Sequence, residues 1–257
     1  MSKIGTSLEI IRKLENWPTY FADYLGLIRS DRVRYAFRNG ISLELRPASS
    51  DRYAVTDVWF NEVYTPKGFE IRPTDIVVDI GGHIGSFSVF AAKKAEEGRV
   101  FSFEPVPGNF EMLKRNLGYN RLDNVSASPK AVSGRSGKKT MYLTSHDTFS
   151  HSSIESLVPD MNGKIEADAI SLEDIFKENK LDKIDFLKID CEGSEYEILS
   201  RTPLSVFKKI HKISMEYHEF DEGHDLKTLK AYLESAGYSI SAVPSKRLGM
   251  IYAKRLS

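Results

Sequence analysis

A glycine-rich turn with an aspartate follows a short apolar run. It reads Asp79-Ile80-Gly81-Gly82-His83-Ile84-Gly85 and lies between a strand-like and a helix-like stretch. Glycines at such a turn let the backbone approach a ligand closely, and the following helix N-terminus favours anionic groups. The spacing differs from the dinucleotide fingerprint GxGxxG, because Ile80 stands where the first glycine belongs. We interpret Gly81, Gly82 and Gly85 as a ligand-binding turn, with an ordinary tight turn as the alternative.

Two carboxylates end neighbouring apolar runs and strengthen this interpretation. Asp79 closes the run before the glycines, where it can meet a cationic group of a ligand. Glu104 closes the next run, 25 residues later. An acid at that place can accept both hydrogen bonds of a ribose diol, although a solvated strand-end carboxylate is the alternative.

Asp190, Glu216 and His218 form a second group. Asp190 ends one strand-like run, and Glu216 and His218 lie two residues apart near the end of the next. Residues two apart share a strand face, so the three converge if the strands are neighbours. His218 or Asp190 would then act as a general base on a hydroxyl. A divalent metal ion bound by all three, or plain hydrogen bonding to loop backbone, are the alternatives.

Four further residues near these groups have weaker signals. His83 lies in the glycine turn, close to any ligand there, and Glu192 either shapes the pocket or partners a helix dipole. Lys188 alternates with apolar residues, which is typical of a structural ion-pair partner. We expect Cys191 to be a packing residue, because only Lys188 is near enough in sequence to activate it.

Strand-like and helix-like runs alternate from residue 75 onward. The strands are predicted at 76–80, 100–103, 125–132, 184–189 and 213–217, and the helices at 84–97, 107–120, 171–179, 194–200 and 226–236. This alternation predicts a parallel sheet covered by helices on both faces. Two last runs, 239–243 and 250–253, are too close together for a helical crossover, so they predict an antiparallel hairpin at a sheet edge.

The chain divides near residue 70 into an extension, 1–70, and a larger domain, 71–257. The extension combines apolar residues at helical spacing, an aromatic stretch, two strand-like runs joined by a two-residue turn at Asn39-Gly40, and a helix from Ser50-Asp51 to about residue 62. We expect it to pack on the larger domain, with a cover over the pocket or a homodimer face as alternatives. The hydroxyl- and histidine-rich segment 144–153 is interpreted as a substrate lid or a solvated loop.

Composition excludes several classes of protein. Lys+Arg and Asp+Glu both number 36 in 257 residues, so a general nucleic-acid binder is not expected. The single cysteine, Cys191, excludes an internal disulfide framework and an all-cysteine zinc site. No apolar run approaches the roughly 18 residues of a membrane span, and the first residues lack the apolar core of a signal peptide. A cytoplasmic location is therefore expected.

Three motifs resemble those of the FkbM-type S-adenosylmethionine-dependent methyltransferases. They are VVDIGGHIGSFS, FEPVPGNFEMLKRN and FLKIDCEGSEYEIL, in that order within about residues 71–220. The resemblance implies a class I methyltransferase fold: a Rossmann-like, seven-stranded, mostly parallel α/β sheet. It also implies S-adenosylmethionine as cofactor and O-methylation of a small-molecule, sugar, glycan or polyketide hydroxyl.

The resemblance also assigns roles to residues. It implies cofactor binding by Asp79, Gly81 and Gly85 of the turn, by Glu104 at the ribose, and by Asn109 and Ala131 around it. Gly82, His83 and Glu192 are added as cofactor-binding candidates from their positions in the sequence. Ala131 is expected at the end of the third core strand, at the adenine edge, where many class I enzymes carry an acid.

Two other functions are weighed against this one. A nicotinamide-dependent oxidoreductase is disfavoured by the missing first glycine and by the absence of a Tyr-x-x-x-Lys pair. A non-catalytic cofactor-binding module is disfavoured by the retained Asp190, Glu216 and His218.

Overall fold

The computed structural model describes residues 3–144, 152, 157, 161–246 and 248–256. The helices are α1 Lys3–Lys13, α2 Trp17–Tyr24, α3 Asp51–Val55, α4 Ser86–Lys94, α5 Pro107–Tyr119, α6 Leu172–Glu178, α7 Glu195–Arg201, α8 Leu204–Phe207 and α9 Leu226–Ser235, and a π-helical turn, Thr56–Phe60, continues α3. The strands are β1 Val33–Ala36, β2 Ser42–Leu45, β3 Ile76–Ile80, β4 Arg99–Phe103, β5 Val125–Ser128, β6 Ala131–Ser133, β7 Gly137–Thr144, β8 Met161–Ser171, β9 Ile184–Ile189, β10 Ile210–His218, β11 Tyr238–Pro244 and β12 Leu248–Arg255. Within these residues no helix is long and apolar enough to span a bilayer.

A seven-stranded sheet with the order β11-β12-β10-β9-β3-β4-β5 forms the centre of the fold. The five strands from β10 to β5 are parallel, whereas β12 runs antiparallel to both β10 and β11. This confirms the predicted mostly parallel sheet with an edge hairpin. The chain leaves β3 toward β4 and later returns to β9 on its other side. A crevice therefore opens at the carboxyl ends of β3 and β9, where ligands bind in such sheets.

The N-terminal 70 residues complete one face of this sheet. Leu14, Tyr35 and Phe60 are fully buried and belong to the same apolar cluster as Val77 of β3 and Phe186 of β9. A second cluster fills the opposite face. The division into 1–70 and 71–257 stays a prediction, because the two parts share one core.

Side chains of Asn116 in α5 and of Asn120, just after it, bond the outer edge of the small β1-β2 hairpin. Asn116 Oδ1 accepts from Glu44 N (2.7 Å), and its Nδ2 donates to Glu44 O (3.0 Å) and Ile84 O (2.8 Å). Asn120 forms the same pair of bonds with the backbone of Ser42. Backbone groups that would otherwise be buried without partners are thus bonded by amides.

The turn between β1 and β2 differs from the prediction. Phe37 N donates to Ile41 O (2.7 Å) and Gly40 N to Phe37 O (3.0 Å), so three residues form the loop. The predicted two-residue turn at Asn39-Gly40 is therefore wrong. The reason is that Arg38 joins the loop while Gly40, with φ +83°, takes the left-handed conformation.

The predicted strand 125–132 is also wrong, because it is two strands. Pro129 has no N–H to donate, and the chain breaks between Ser128 and Ala131. β6 then joins a separate three-stranded sheet, β6-β8-β7. Ala131 consequently begins β6 rather than ending the third core strand. The expected lid, 144–153, lies outside the described residues except for Thr144, which ends β7, and Ser152.

Replacing Asn116 by alanine tests the amide contacts that hold the hairpin. Three buried backbone groups would lose a partner, so we expect the free energy of unfolding in urea to fall by roughly 2–4 kcal/mol. Asn162→Ala, at an exposed position of β8, is the control and should change it by less than about 0.5 kcal/mol. Equal effects of the two substitutions would contradict the role given to Asn116.

Candidate active site

A pocket of about 350 Å³ opens at the carboxyl ends of β3, β4, β9 and β10. Its lining includes Gly81, Gly82, His83, Glu104, Asn109, Ala131, Asp190, Glu192, Glu216 and His218, and therefore most of the residues singled out in the sequence. Asp79 and Gly85 are absent from the lining. The N-terminal part contributes Ala54, Asp57, Val58 and Tyr64.

The glycine turn lies against the ends of both neighbouring strands. The N–H groups of Gly81 and Gly82 donate to Phe103 O of β4, at 3.0 and 2.9 Å. A Cβ atom at Gly81 would lie only 1.8 Å from Asp190 O, and one at Gly82 only 2.4 Å from Ser102 Oγ. Glycine is therefore required at both positions by close packing, which is the general reason for glycines at such turns.

Glu104 lies beside this turn as a buried carboxylate. Its Oε2 accepts from His83 N (2.7 Å) and its Oε1 from Val106 N (2.8 Å). Burial raises the pKa of Glu104, and these bonds and the charge of His83 oppose the rise. Each oxygen still has capacity for a further donor on the pocket side.

Asp79 faces away from the pocket. It is fully buried, accepts from Ser88 Oγ (2.6 Å) and lies 3.2 Å from Lys188 Nζ. The expected contact with a cationic ligand group is therefore replaced by an internal one. The pKa of Asp79 is raised by burial, although Lys188 and Ser88 act in the opposite direction.

Asp190, Glu216 and His218 converge, because β9 and β10 are neighbours with Ile189 opposite Met215. His218 Nε2 lies 3.1 Å from Glu192 Oε2 and 3.6 Å from Glu216 Oε1. On the other side of the ring, Nδ1 lies 3.1 Å from Oε1 of the fully buried Glu195. The imidazole is thus enclosed by three carboxylates.

These carboxylates determine the charge of His218. Burial would lower its pKa, but Glu192 and Glu195 raise it to about 12. Such an imidazole is protonated, and each of its nitrogens has a carboxylate beside it. The metal alternative at Asp190, Glu216 and His218 is not supported, because no group of three or more potential ligands within the described residues has metal-site geometry.

The other two members of the group, Asp190 and Glu216, differ in their pKa values. Burial would raise the pKa of Asp190, but Lys188 and His218 together lower it, and Tyr64 donates to its Oδ2 at 2.8 Å. Burial and the charge of Asp190 raise the pKa of Glu216 to about 8, against the opposing charge of His218. One member of the cluster therefore titrates near neutral pH.

Comparison with known proteins identifies the family. The family model "Methyltransferase FkbM domain" matches residues 79–240, which is more than half of the chain. The chain belongs to the FkbM methyltransferase family. The predicted resemblance is therefore confirmed.

Individual relatives are distant. The chain is 25% identical over 230 residues to the 31-O-demethyl-FK506 methyltransferase FkbM of Streptomyces tacrolimicus, with 79% of this chain and 88% of that one covered. It is also 25% identical over 222 residues to Methyltransferase 1 of Beauveria bassiana, covering 76% and 88%. The solved FkbM methyltransferase of Methylobacillus flagellatus KT shares the fold, with a TM-score of 0.51 and 17% identity over 97% of this chain and 60% of that one.

Three more residues that were predicted to bind the cofactor of this methyltransferase, Asn109, His83 and Ala131, also line the pocket. Asn109 accepts from Arg46 Nη2 (2.8 Å), which also binds the buried Asp51. His83 Nε2 lies 3.3 Å from the same Asp51. Ala131 lines the pocket together with Val132 and Met141.

Sequence reasoning missed the contributions of Asp57, Tyr64 and Glu195. Tyr64 bonds Asp190 from 126 positions away, and no local pattern predicts such a contact. In the sequence, Glu195 is an acid in the first turn of a predicted helix. Its contact with His218 becomes visible only when the position of β10 is known.

Substitution of Gly81 by alanine tests the packing of the turn. The added Cβ would overlap Asp190 O at a positive φ of 79°, so we expect the free energy of unfolding to fall by more than about 2 kcal/mol in urea titration. Gly118→Ala in α5 is the matched control, because nothing lies within 4 Å of its Cβ position, and it should gain about 0.5–1 kcal/mol. An alanine at position 81 that leaves stability unchanged would refute the close contact.

The raised pKa of Glu216 predicts a pH dependence of stability. Its pKa is about 8 in the folded protein and 4.5 in an unfolded chain, so the folded protein keeps an extra proton between these values. The favourable contribution is complete below pH 4.5 and is lost as the pH rises through 8. Glu216→Gln should flatten the fall in unfolding free energy across this range by up to about 1.4 kcal/mol per pH unit.

Urea unfolding at pH 5 to 9 measures this effect. Glu222→Gln, an exposed acid outside the pocket, is the control and should follow the wild-type profile. Parallel profiles for the wild type and Glu216→Gln would show that Glu216 has an ordinary pKa.

Proposed function

We propose that this methyltransferase uses S-adenosylmethionine to methylate a hydroxyl of a small molecule, such as a sugar, glycan or polyketide. The observation that carries the proposal is the arrangement of the polar groups in the pocket. The strand order β10-β9-β3-β4 puts the glycine turn, after β3, between Glu104 at the end of β4 and the Asp190–Glu216–His218 group at the ends of β9 and β10. The name of the Streptomyces relative gives an oxygen as the atom it methylates, which supports the choice of a hydroxyl.

The residues present fit the cofactor. Glu104 has free acceptor capacity for a ribose diol, and the lining beyond it, Ala131, Val132 and Met141, is apolar as an adenine ring requires. The acids of the other group, Asp190 and Glu216, favour a positively charged part of a ligand. When bound there, S-adenosylmethionine supplies a methyl group on a positively charged sulfur.

Glu216 is the residue we assign to accept the hydroxyl proton. His218 already carries its proton, and the lowered pKa of Asp190 makes it a weak base. Glu216 lines the same pocket with a pKa of about 8, and a general base is most effective when its pKa lies near the working pH. Glu216 therefore takes the place of His218 and Asp190, which the sequence had suggested as general bases.

His218 and Asp190 keep different tasks in this scheme. The imidazolium, held by Glu195, fixes Glu192 and Glu216 by charge. Asp190, bonded by Tyr64, stays ionised and lies in the same lining.

Family membership argues against the nicotinamide-dependent oxidoreductase. A cytoplasmic location and a homodimer stay predictions. A non-catalytic, cofactor-binding role stays an alternative function. We propose that the methyl acceptor is a small molecule or a glycan and not a nucleic acid.

Calorimetric titration with S-adenosylhomocysteine tests the cofactor assignment. Glu104→Gln removes the charge that would accept two hydroxyl hydrogen bonds, and we expect about 100-fold weaker binding. Glu111→Gln, an exposed acid of α5, is the control and should bind as the wild type does. Binding of NAD by the wild type in place of S-adenosylhomocysteine would overturn the proposed function, and unchanged affinity in Glu104→Gln would remove only the role of that residue.

A further inference from the structure

Asp57 is a pocket carboxylate that the scheme above does not use. It lies in the π-helical turn Thr56–Phe60 and lines the pocket together with Tyr64, Asp190 and Glu216. Its Oδ1 accepts from Asn61 Nδ2 at 3.0 Å. Among the described residues no cationic side chain pairs with it.

The other carboxylates of the pocket are all compensated. Asp190 lies 3.5 Å from Lys188 Nζ, and Glu192 and Glu216 share the imidazolium of His218. Glu104 accepts two backbone N–H groups. Asp57 has only one neutral amide, so it differs from every other acid in the lining.

The surroundings make this lack of a cation costly. Burial raises the pKa of Asp57, and the nearby charge of Asp190 raises it further. The charge of Asp57 in turn acts on Glu216 and Tyr64, which line the same pocket. A half-buried carboxylate beside like charges is unfavourable for the empty protein and points to a ligand that supplies the missing charge.

The local backbone holds Asp57 in this position. Its carbonyl accepts from Val63 N (2.9 Å), and Asn61, which binds its carboxylate, accepts from Thr6 Oγ1 (2.8 Å). π-Helical turns add a residue to the helix and are frequent at functional sites. The turn therefore presents a fixed carboxylate to the pocket from the N-terminal part of the chain.

We propose that Asp57 binds a protonated amine of the methyl acceptor, so that the acceptor is an amino-hydroxy compound such as an amino sugar or an amino alcohol. This inference rests on the proposed function, because it takes the end of the pocket near Glu216 as the acceptor site. An ammonium group donates hydrogen bonds and also cancels charge, whereas a neutral hydroxyl only donates. A carboxylate or phosphate on the acceptor would meet Asp57, Asp190 and Glu216 and be repelled.

Neutral, basic and acidic ligands, matched within each of two scaffolds, test the charge preference. The probes are the methyl glycosides of glucose, glucosamine and glucuronic acid, together with a three-carbon diol, amino alcohol and hydroxy acid. Binding to protein saturated with S-adenosylhomocysteine is measured by saturation-transfer NMR and competition. We expect the amine of at least one scaffold to bind about tenfold or more tightly than its neutral partner, which corresponds to about 1.4 kcal/mol, and the acids not to bind.

Asp57→Asn keeps the size of the side chain and the bond from Asn61 but removes the charge, and it should abolish the preference for amines. Glu62→Gln removes a neighbouring acid that pairs with Lys13 outside the pocket, and it should keep the preference. Three outcomes would overturn the inference: neutral probes that bind as well as amines, no binding by any amine, or an amine preference that survives in Asp57→Asn.

The cofactor titration separates this inference from the proposed function. S-adenosylhomocysteine should bind Asp57→Asn and the wild type equally well. If its affinity falls in Asp57→Asn, the carboxylate serves the cofactor's own amine and the inference fails while the proposed function stands. If the wild type binds no S-adenosylhomocysteine, the proposed function fails first.

Discussion

The buried ammonium group of Lys188 is the contact on which the pocket depends. Its Nζ lies 3.2 Å from Asp79 and 3.5 Å from Asp190, and it donates to the carbonyl of Gly81 at 2.7 Å. It thereby joins the carboxyl ends of β3 and β9 and neutralises charge on both strands, while the ring of Tyr64 lies 5.3 Å away. Without this cation, the carboxylates of Asp79 and Asp190 would lose their common partner beside the glycine turn, and unpaired buried charges are very costly.

The central strands are predictable from the sequence because burial on both faces leaves a continuous apolar signal. β3 and β9 have the predicted bounds, 76–80 and 184–189, and every residue of Val77–Ile80 is buried. The group of Asp190, Glu216 and His218 is predictable for a related reason. Parallel strands end at one edge, so acids that follow them converge when the strands are neighbours.

The remaining features depend on contacts that no local pattern contains. β7 and β8 expose charged residues such as Lys138 and Asp168, so their strands lack a strong apolar alternation. Asp57 and Tyr64 belong to the N-terminal part and reach the pocket only because that part shares a core with β3. The charge of His218 is likewise set by Glu195, which lies 23 positions away in sequence and within a different element.

Proton transfer to Glu216 is favoured by the acids that surround it. As an anion, Glu216 lies among Asp190, Glu192 and Asp57, and each of these charges raises its pKa. Accepting a proton from an acceptor hydroxyl turns one of four neighbouring anions into a neutral acid, which relieves their mutual repulsion. His218 cannot provide the same relief, because Glu192 and Glu195 keep it charged. Glu192 and the buried Glu195 thus act together on the reaction: by fixing the proton of His218, they leave Glu216 to change charge near neutral pH.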